Sequence, residues 1–180
     1  MDDREFKNDL LAAIPPLRAF AISLTGRIDR ADDLVQETLM KAWASRTSFQ
    51  PGTKFKAWLF TILRNEYYTA FRKRKREVED IDGAIAANVG VHPAQHGHMD
   101  LIDMQAALAK LPVDQREALL LVGANDMSYE DAATICGVAV GTIKSRVNRA
   151  RGRLAELLHV VPSGEFGPEP GVQAVLTTRP

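Results

Sequence analysis

Lys144, Ser145, Asn148 and Arg149 are the residues of this chain whose types and spacing most clearly suit a chemical task. At i, i+1, i+4 and i+5 they share one face of a helix. Lys and Arg donate to the acceptors of guanine, and Asn pairs with adenine, so such a face fits the major groove of DNA. Arg146, Arg151 and Arg153 flank it and suit phosphates better than bases. A helix whose basic face is merely solvated would carry the same residues. The preceding residues bear on the choice. Ile143, Val147, Ala150, Leu154 and Leu157 or Leu158 form an apolar stripe on another side of the same helix, so one face can be buried while the other reads.

That helix needs a brace. Ser128 followed by Asp131 resembles a capping box, with Asp in place of the usual Glu, and Gly137 suits a C-cap. A short helix between them, a turn through "CGVAV", and a last helix from Val140 or Thr142 to about His159 make a helix-turn-helix. Glu130 and Asp131 are the charges of the first helix, whereas the second carries only bases until Glu156. The first helix braces and the second reads. Cys136, the single cysteine, sits at the end of the brace and reads as a buried structural thiol; no internal disulfide is possible.

The rest of the chain shows three-and-four apolar spacing almost throughout. Leu10, Ala13, Ile14, Leu17, Phe20, Ala21 and Leu24 predict one helix, closed by Gly26. Asp29 or Asp32 can cap the next, which turns Leu34, Val35, Thr38, Leu39, Ala42 and Trp43 inward. After a loop marked by Pro51 and Gly52, a long helix runs from about Thr53 towards Glu79, burying Phe55, Trp58, Leu59, Ile62, Leu63 and Phe71. Its second half carries the run Arg72-Lys73-Arg74-Lys75-Arg76. Helicity resumes near Met99 and stops at Pro112; Asp114 can cap the following helix, with Leu119, Leu120 and Val122 inward. The expected architecture is all-α: two small helical domains, 8–79 and 99–160, joined by a flexible acidic linker, 80–98, with a disordered Pro/Gly-rich tail, 161–180.

Composition agrees. Apolar residues make up 46% of 180, as in globular proteins. The formal net charge of zero at first argues against a polyanionic partner, but it is a sum of strongly signed segments. Glu77 to Asp103 holds six acids and no Lys or Arg, between two basic clusters. Those acids could lie against either basic surface and hold the domains together, or could serve only a tether. No apolar run is long enough to span a bilayer, and the first residues lack the apolar centre of a signal peptide, so a soluble protein of a reducing compartment is expected. His92, His96 and His98 raise the question of a metal, but they lie near no cysteine and in no rigid frame, and no metal or other cofactor is expected. No phosphate-binding Gly loop and no nucleophile with an evident base occur, so no enzyme is expected.

The segment Leu111–Leu154, above all "GTIKSRVNRAR", resembles region 4 of extracytoplasmic-function (ECF) sigma factors of the sigma-70 family. "ADDLVQETLMKAW" (Ala31–Trp43) resembles the region 2 helix that grips RNA polymerase, and "FKAWLFTILRNEYYTAFRKRKR" (Phe55–Arg76) the promoter-melting segment after it. "LRNEYYTAFRKRKREVED" is similar to general stress sigma factors of the EcfG type. The resemblance implies a set of roles. Asp32, Asp33, Leu34, Gln36, Glu37 and Lys41 would dock on a coiled coil of the largest subunit of core RNA polymerase. Phe49, Tyr67 and Tyr68 would stack on flipped bases of the −10 element, Asn65 would bond a base edge, and Arg64, Arg72, Lys73 and Arg74 would meet phosphates. Thr142, Lys144, Ser145, Arg146, Asn148, Arg149, Arg151 and Arg153 would contact the −35 element of promoter DNA. An anti-sigma factor, NepR-like for the EcfG type, is a further expected partner, and the cytoplasm the expected place. Two alternatives remain at this point: a stand-alone helix-turn-helix regulator, and a sigma mimic that titrates an anti-sigma factor.

Overall fold

The computed structural model describes residues 2–50, 52–79 and 99–159. Among the described residues seven α-helices follow one another: α1 (Asp3–Thr25), α2 (Ile28–Ala44), α3 (Phe55–Glu79), α4 (Met99–Ala109), α5 (Val113–Gly123), α6 (Tyr129–Cys136) and α7 (Val140–Leu157), with a 3-10 turn at Arg46–Ser48. No strand occurs among the described residues. The expected acidic linker, its three histidines and the C-terminal tail lie outside them.

Helices α1, α2 and α3 form an N-terminal bundle. α1 starts where the Asp2 side chain accepts the Glu5 N–H at 3.1 Å, and it ends on Gly26, whose φ of 68° is left-handed. Pro15 and Pro16 each lack a donor, yet the helix continues through them. Its stripe of Leu10, Ala13, Leu17, Phe20, Ala21 and Leu24 is buried, and tertiary packing of this kind outweighs local propensity. In α3 the matching stripe is Leu59, Phe60, Leu63 and Tyr67, with the Phe60 ring 5.1 Å from that of Phe20.

Helices α5, α6 and α7 pack together as a C-terminal bundle, with α4 against α7. Ser128 Oγ accepts the Asp131 N–H at 3.0 Å and Asp131 Oδ2 accepts the Ser128 N–H at 3.3 Å, so the capping box forms with Asp as expected. Gly137 ends α6 at a φ of 65°. The two bundles meet: α3 lies on α6, and α1 touches α4 and α5, so one buried cluster runs through both.

Several local expectations need correction. α2 begins at Arg27 with no side-chain cap; Asp29 pairs with Arg27 at 2.7 Å and Asp32 with Arg18 at 2.6 Å. α5 begins at Pro112 rather than on Asp114, which pairs with Arg146 at 3.1 Å. In each case an Arg outcompetes the backbone for the carboxylate. On α5 the most buried side chains are Glu117, Ala118 and Leu121, while Leu119, Leu120 and Val122 are only half-buried. Trp43 is 40% exposed and Phe71 is 51% exposed, although both were expected in the core. Phe71 lies one turn past Tyr67, the last of the described α3 residues to be buried, and stacks on its ring at 6.3 Å.

Phe60→Ala removes a ring with no exposed surface, and should cost about 3–5 kcal/mol in urea unfolding. Ser128→Ala removes one cap bond and should cost about 1 kcal/mol. Equal shifts of the two midpoints would contradict this assignment of core and cap.

Candidate nucleic-acid interface

α7 presents two faces. Ile143, Val147 and Ala150 are buried against the C-terminal bundle. Thr142, Lys144, Ser145, Asn148, Arg149 and Arg153 are exposed, and Arg151 is half-buried. Ser145 Oγ donates to the Thr142 carbonyl at 3.0 Å, Lys144 Nζ lies 5.5 Å from the centroid of Tyr129, and Arg153 pairs with Glu156 at 2.8 Å. The structure therefore gathers the expected reading residues on one surface above the brace α6. Arg146 differs: it is half-buried and bonded to Asp114, so it ties α7 to α5. Beneath the helix, burial pushes the Cys136 thiol up to about 12, with the Glu117 carboxylate adding to the effect. A thiol so held is a packing group and a poor nucleophile.

The second cluster lies on α3. Asn65, Arg72 and Lys73 are exposed, and Arg74 is half-buried. Arg64, Asn65, Tyr68, Thr69 and Arg72 line a shallow cleft. Tyr67 is buried and meets Tyr68 edge-on at 5.1 Å. The Arg64 guanidinium lies 4.6 Å above the Tyr68 ring, while its Nε donates to Glu117 Oε1 at 2.6 Å. Tyr68 Oη donates to Glu117 Oε2 at 3.4 Å. Burial pushes the Tyr68 phenol up to about 12 and raises Tyr67 as well. Burial also raises the Glu117 carboxyl, against the pull of Arg64. Phe49 does not stand on a pocket rim: it is 9% exposed, with ring centroids 5.1 Å from Phe55 and 5.3 Å from Trp58. A ring enclosed in this way has no open face for a base.

On α2, Asp33, Gln36 and Glu37 are exposed together. Asp32 is half-exposed, and the hydrogen bond from Arg18 holds its carboxyl below the usual range. Lys41 bridges to Glu66 at 2.6 Å and Glu37 at 3.6 Å. Leu34 is buried and supports this face from below. Beside it, Leu11, Ile14, Leu39, Met40 and Trp43 line an apolar groove.

The sequence reading missed the pairing of Arg64 with Glu117 across the two bundles, and also the Lys54–Asp131 bridge at 2.5 Å. One signal was present for the first. Glu117 stands at i−1 and i−4 from Ala118 and Leu121, on the buried side of α5. An acid on an inward face needs a cation to meet it.

Residues 11–77 match the family described as Sigma-70 region 2, and residues 101–154 match Sigma-70, region 4. The chain is 61% identical over 170 residues, 94% of each protein, to the ECF RNA polymerase sigma factor EcfG of Rhodopseudomonas palustris strain TIE-1. Among solved structures it is similar to the sigma factor RpoE in complex with the anti-sigma factor NepR from Bartonella quintana, at 60% identity and a TM-score of 0.82, covering 88% of this chain and 99% of that one. It is also similar to CnrH in complex with the cytosolic domain of CnrY, at 27% identity and a TM-score of 0.65, covering 88% and 90%. The chain belongs to the ECF sigma factors of the sigma-70 family.

Two titrations check the electrostatics. Tyr68 and Cys136 are both raised, so their neutral forms stabilise the fold fully below the ordinary tyrosine and cysteine values. That contribution is lost as pH rises through about 12. Ultraviolet titration should show a late phenol that Tyr68→Phe removes. Alkylation of Cys136 near pH 8.5 should be slower in the native protein than in denaturant by about two orders of magnitude or more. Equal alkylation rates would mean that the thiol is open to solvent.

Proposed function

We propose that the chain is a promoter-specificity subunit which binds core RNA polymerase and directs initiation of transcription. The observation that carries this reading is α7, whose Lys144, Ser145, Asn148 and Arg149 stand exposed over a buried stripe of Ile143, Val147 and Ala150. In this reading Lys144, Asn148 and Arg149 read base edges of the −35 element, and Arg151 and Arg153 hold phosphates. Arg146 acts through Asp114 by fixing the angle of α7. Asn65 and Tyr68 take bases of the −10 element, with Arg64, Arg72, Lys73 and Arg74 along the strand, while Tyr67 is buried and packs against the Tyr68 ring. Flipping a base costs a few kcal/mol, and stacking returns about 1–3 kcal/mol per base.

The acidic face of α2 and the apolar groove beside it support a protein partner, here the polymerase. The polymerase supplies the catalysis, so the chain itself is not an enzyme. Likeness to EcfG and to a NepR-bound sigma factor supports a role in a general stress response, under an anti-sigma factor of the NepR kind. No helix among the described residues is long and apolar enough to cross a membrane. A role beside the polymerase supports a cytoplasmic location.

Run-off transcription with purified core polymerase tests the reading, and absence of promoter-dependent product would refute it. Arg149→Ala should cost about 1–3 kcal/mol at its own base pair and relax preference there. Arg153→Ala should weaken all promoter variants alike. Reversing Asp33 and Glu37 should abolish capture of core polymerase while circular dichroism stays helical; wild-type capture would remove α2 from the docking surface.

A further inference from the structure

Between α2 and α3 lies a cleft of about 500 Å³, on the opposite flank of α3 from Tyr68. Leu34 and Tyr67, both buried, form its floor. Its two ends differ in charge. At one end stand Glu37 and Glu66, and Lys41 bridges to them at 3.6 and 2.6 Å. At the other, about 12 Å further along α3 at 1.5 Å per residue, stand Lys73 and Arg74, with Arg30 supplied by α2. Arg74 lies where its charge reaches the Tyr67 phenol on the floor. Around the start of α2, Arg27 is paired with Asp29 and Arg18 with Asp32. Arg30 is exposed and meets no such partner among the described residues. Asp33 also lines the cleft, and it belongs to the face of α2 already given to the polymerase.

α3 thus has a cleft on each flank. Arg64, Asn65, Tyr68 and Arg72 line the first, and Thr69 lines both. Thr69 is exposed and marks the crest between them. At about 100° per residue, Arg72 falls about 60° to one side of that crest and Lys73 about 40° to the other. A single strand runs along one flank of such a ridge. Duplex DNA offers a groove about 12 Å wide with a strand on either wall, so it meets both flanks.

From this geometry we propose that the α2–α3 cleft is a second phosphate site, in which Arg30, Lys73 and Arg74 hold the partner strand of the duplex that borders the opened −10 segment. The inference rests on the reading of α3 as the −10 surface and refines it. Arg64 and Arg72 follow the opened strand, whereas Lys73 and Arg74 turn with Arg30 to the other. Cations from two helices bracket a phosphate from two sides, which a basic run on one helix does not. A guanidinium adds a fork of donors that matches phosphate oxygens. Glu37 and Glu66 turn a strand away from the other end of the cleft, so it takes a phosphate at its basic end only. Arg30 becomes a DNA contact on a helix otherwise assigned to the polymerase.

The test uses holoenzyme assembled from the full chain and core polymerase, and reads fluorescence anisotropy of two labelled DNAs across a salt series. One is a fork without a −35 element, duplex upstream and single-stranded through the −10 element. The other is the −10 strand alone. Arg30→Ala should weaken fork binding by about three- to tenfold and make the slope of log affinity against log salt shallower by about 1. Arg30→Lys keeps the charge and should keep the wild-type slope. Binding of the lone strand should stay as in wild type for both variants. Arg27→Ala, whose side chain does not line the cleft, should leave both DNAs and the slope unchanged. Unchanged fork binding by Arg30→Ala overturns the proposal. An equal loss on the lone strand overturns it too, because the phosphate would then belong to the opened strand. Lost capture of core polymerase by Arg30→Ala gives the cleft to the polymerase and overturns it as well. Run-off transcription by wild type does not depend on any of these results, so failure of the second phosphate site and failure of the sigma reading are told apart.

Discussion

The structure depends on α3 having to bury more than one side. Leu59, Phe60, Leu63 and Tyr67 close the N-terminal bundle, while Arg64 and Tyr68 turn to the C-terminal bundle. An apolar stripe takes about 100° of arc, so a second buried stripe beside the first leaves less than half of the helix for solvent. The second stripe is not wholly apolar, since Arg64 and Tyr68 both lie on it. The compromise is a set of amphipathic side chains: tyrosines with a polar end, and an arginine with a long stem. A surface packed over them must supply a matching anion, and Glu117 is that anion.

The helix-turn-helix obeys a simpler rule. α7 can show a polar face because α6 is fixed at both ends, by the Ser128–Asp131 box and by the left-handed Gly137. Asp131 serves twice, since it also receives Lys54 of the other bundle. Burial works against its charge, but the bonds from Lys54 and Ser128 hold its carboxyl below the usual range. The cap of the bracing helix is thereby coupled to the seam, so a change of packing at α3 is felt at the N-terminus of α6.

What the sequence disclosed follows from what periodicity can carry. The spacing of Leu10 to Leu24 and of Ile143 to Ala150 gives the direction of a buried face, and these faces are where they were expected. Spacing does not say where a neighbour ends. Phe71 keeps the phase of the α3 stripe yet stands past its last buried turn, and Trp43 likewise reaches the rim. Nor does it say which of two partners a carboxylate takes. Asp32 and Asp114 had the local pattern of caps and went to Arg18 and Arg146, because a charged guanidinium outweighs one backbone N–H. Of the expected site residues, those on α7 could be grouped from spacing alone. Arg64 and Tyr68 could not, since their surroundings are made by a helix some fifty residues away in the chain.

The balance of charge fits the same logic. A protein that must meet a polyanion gains from basic patches but not from a high net charge, which would draw it to any nucleic acid. Here the acids that bring the sum to zero include some set directly on the cations: Asp32 on Arg18, Glu66 on Lys41, Asp131 on Lys54, Asp114 on Arg146 and Glu117 on Arg64. Most of these pairs are exposed and individually weak. Arg64 with Glu117 differs, because both sides have largely left water. Exposed pairs adjust the field continuously as salt changes. A pair out of water is screened far less by salt, so its strength is set by the packing around it.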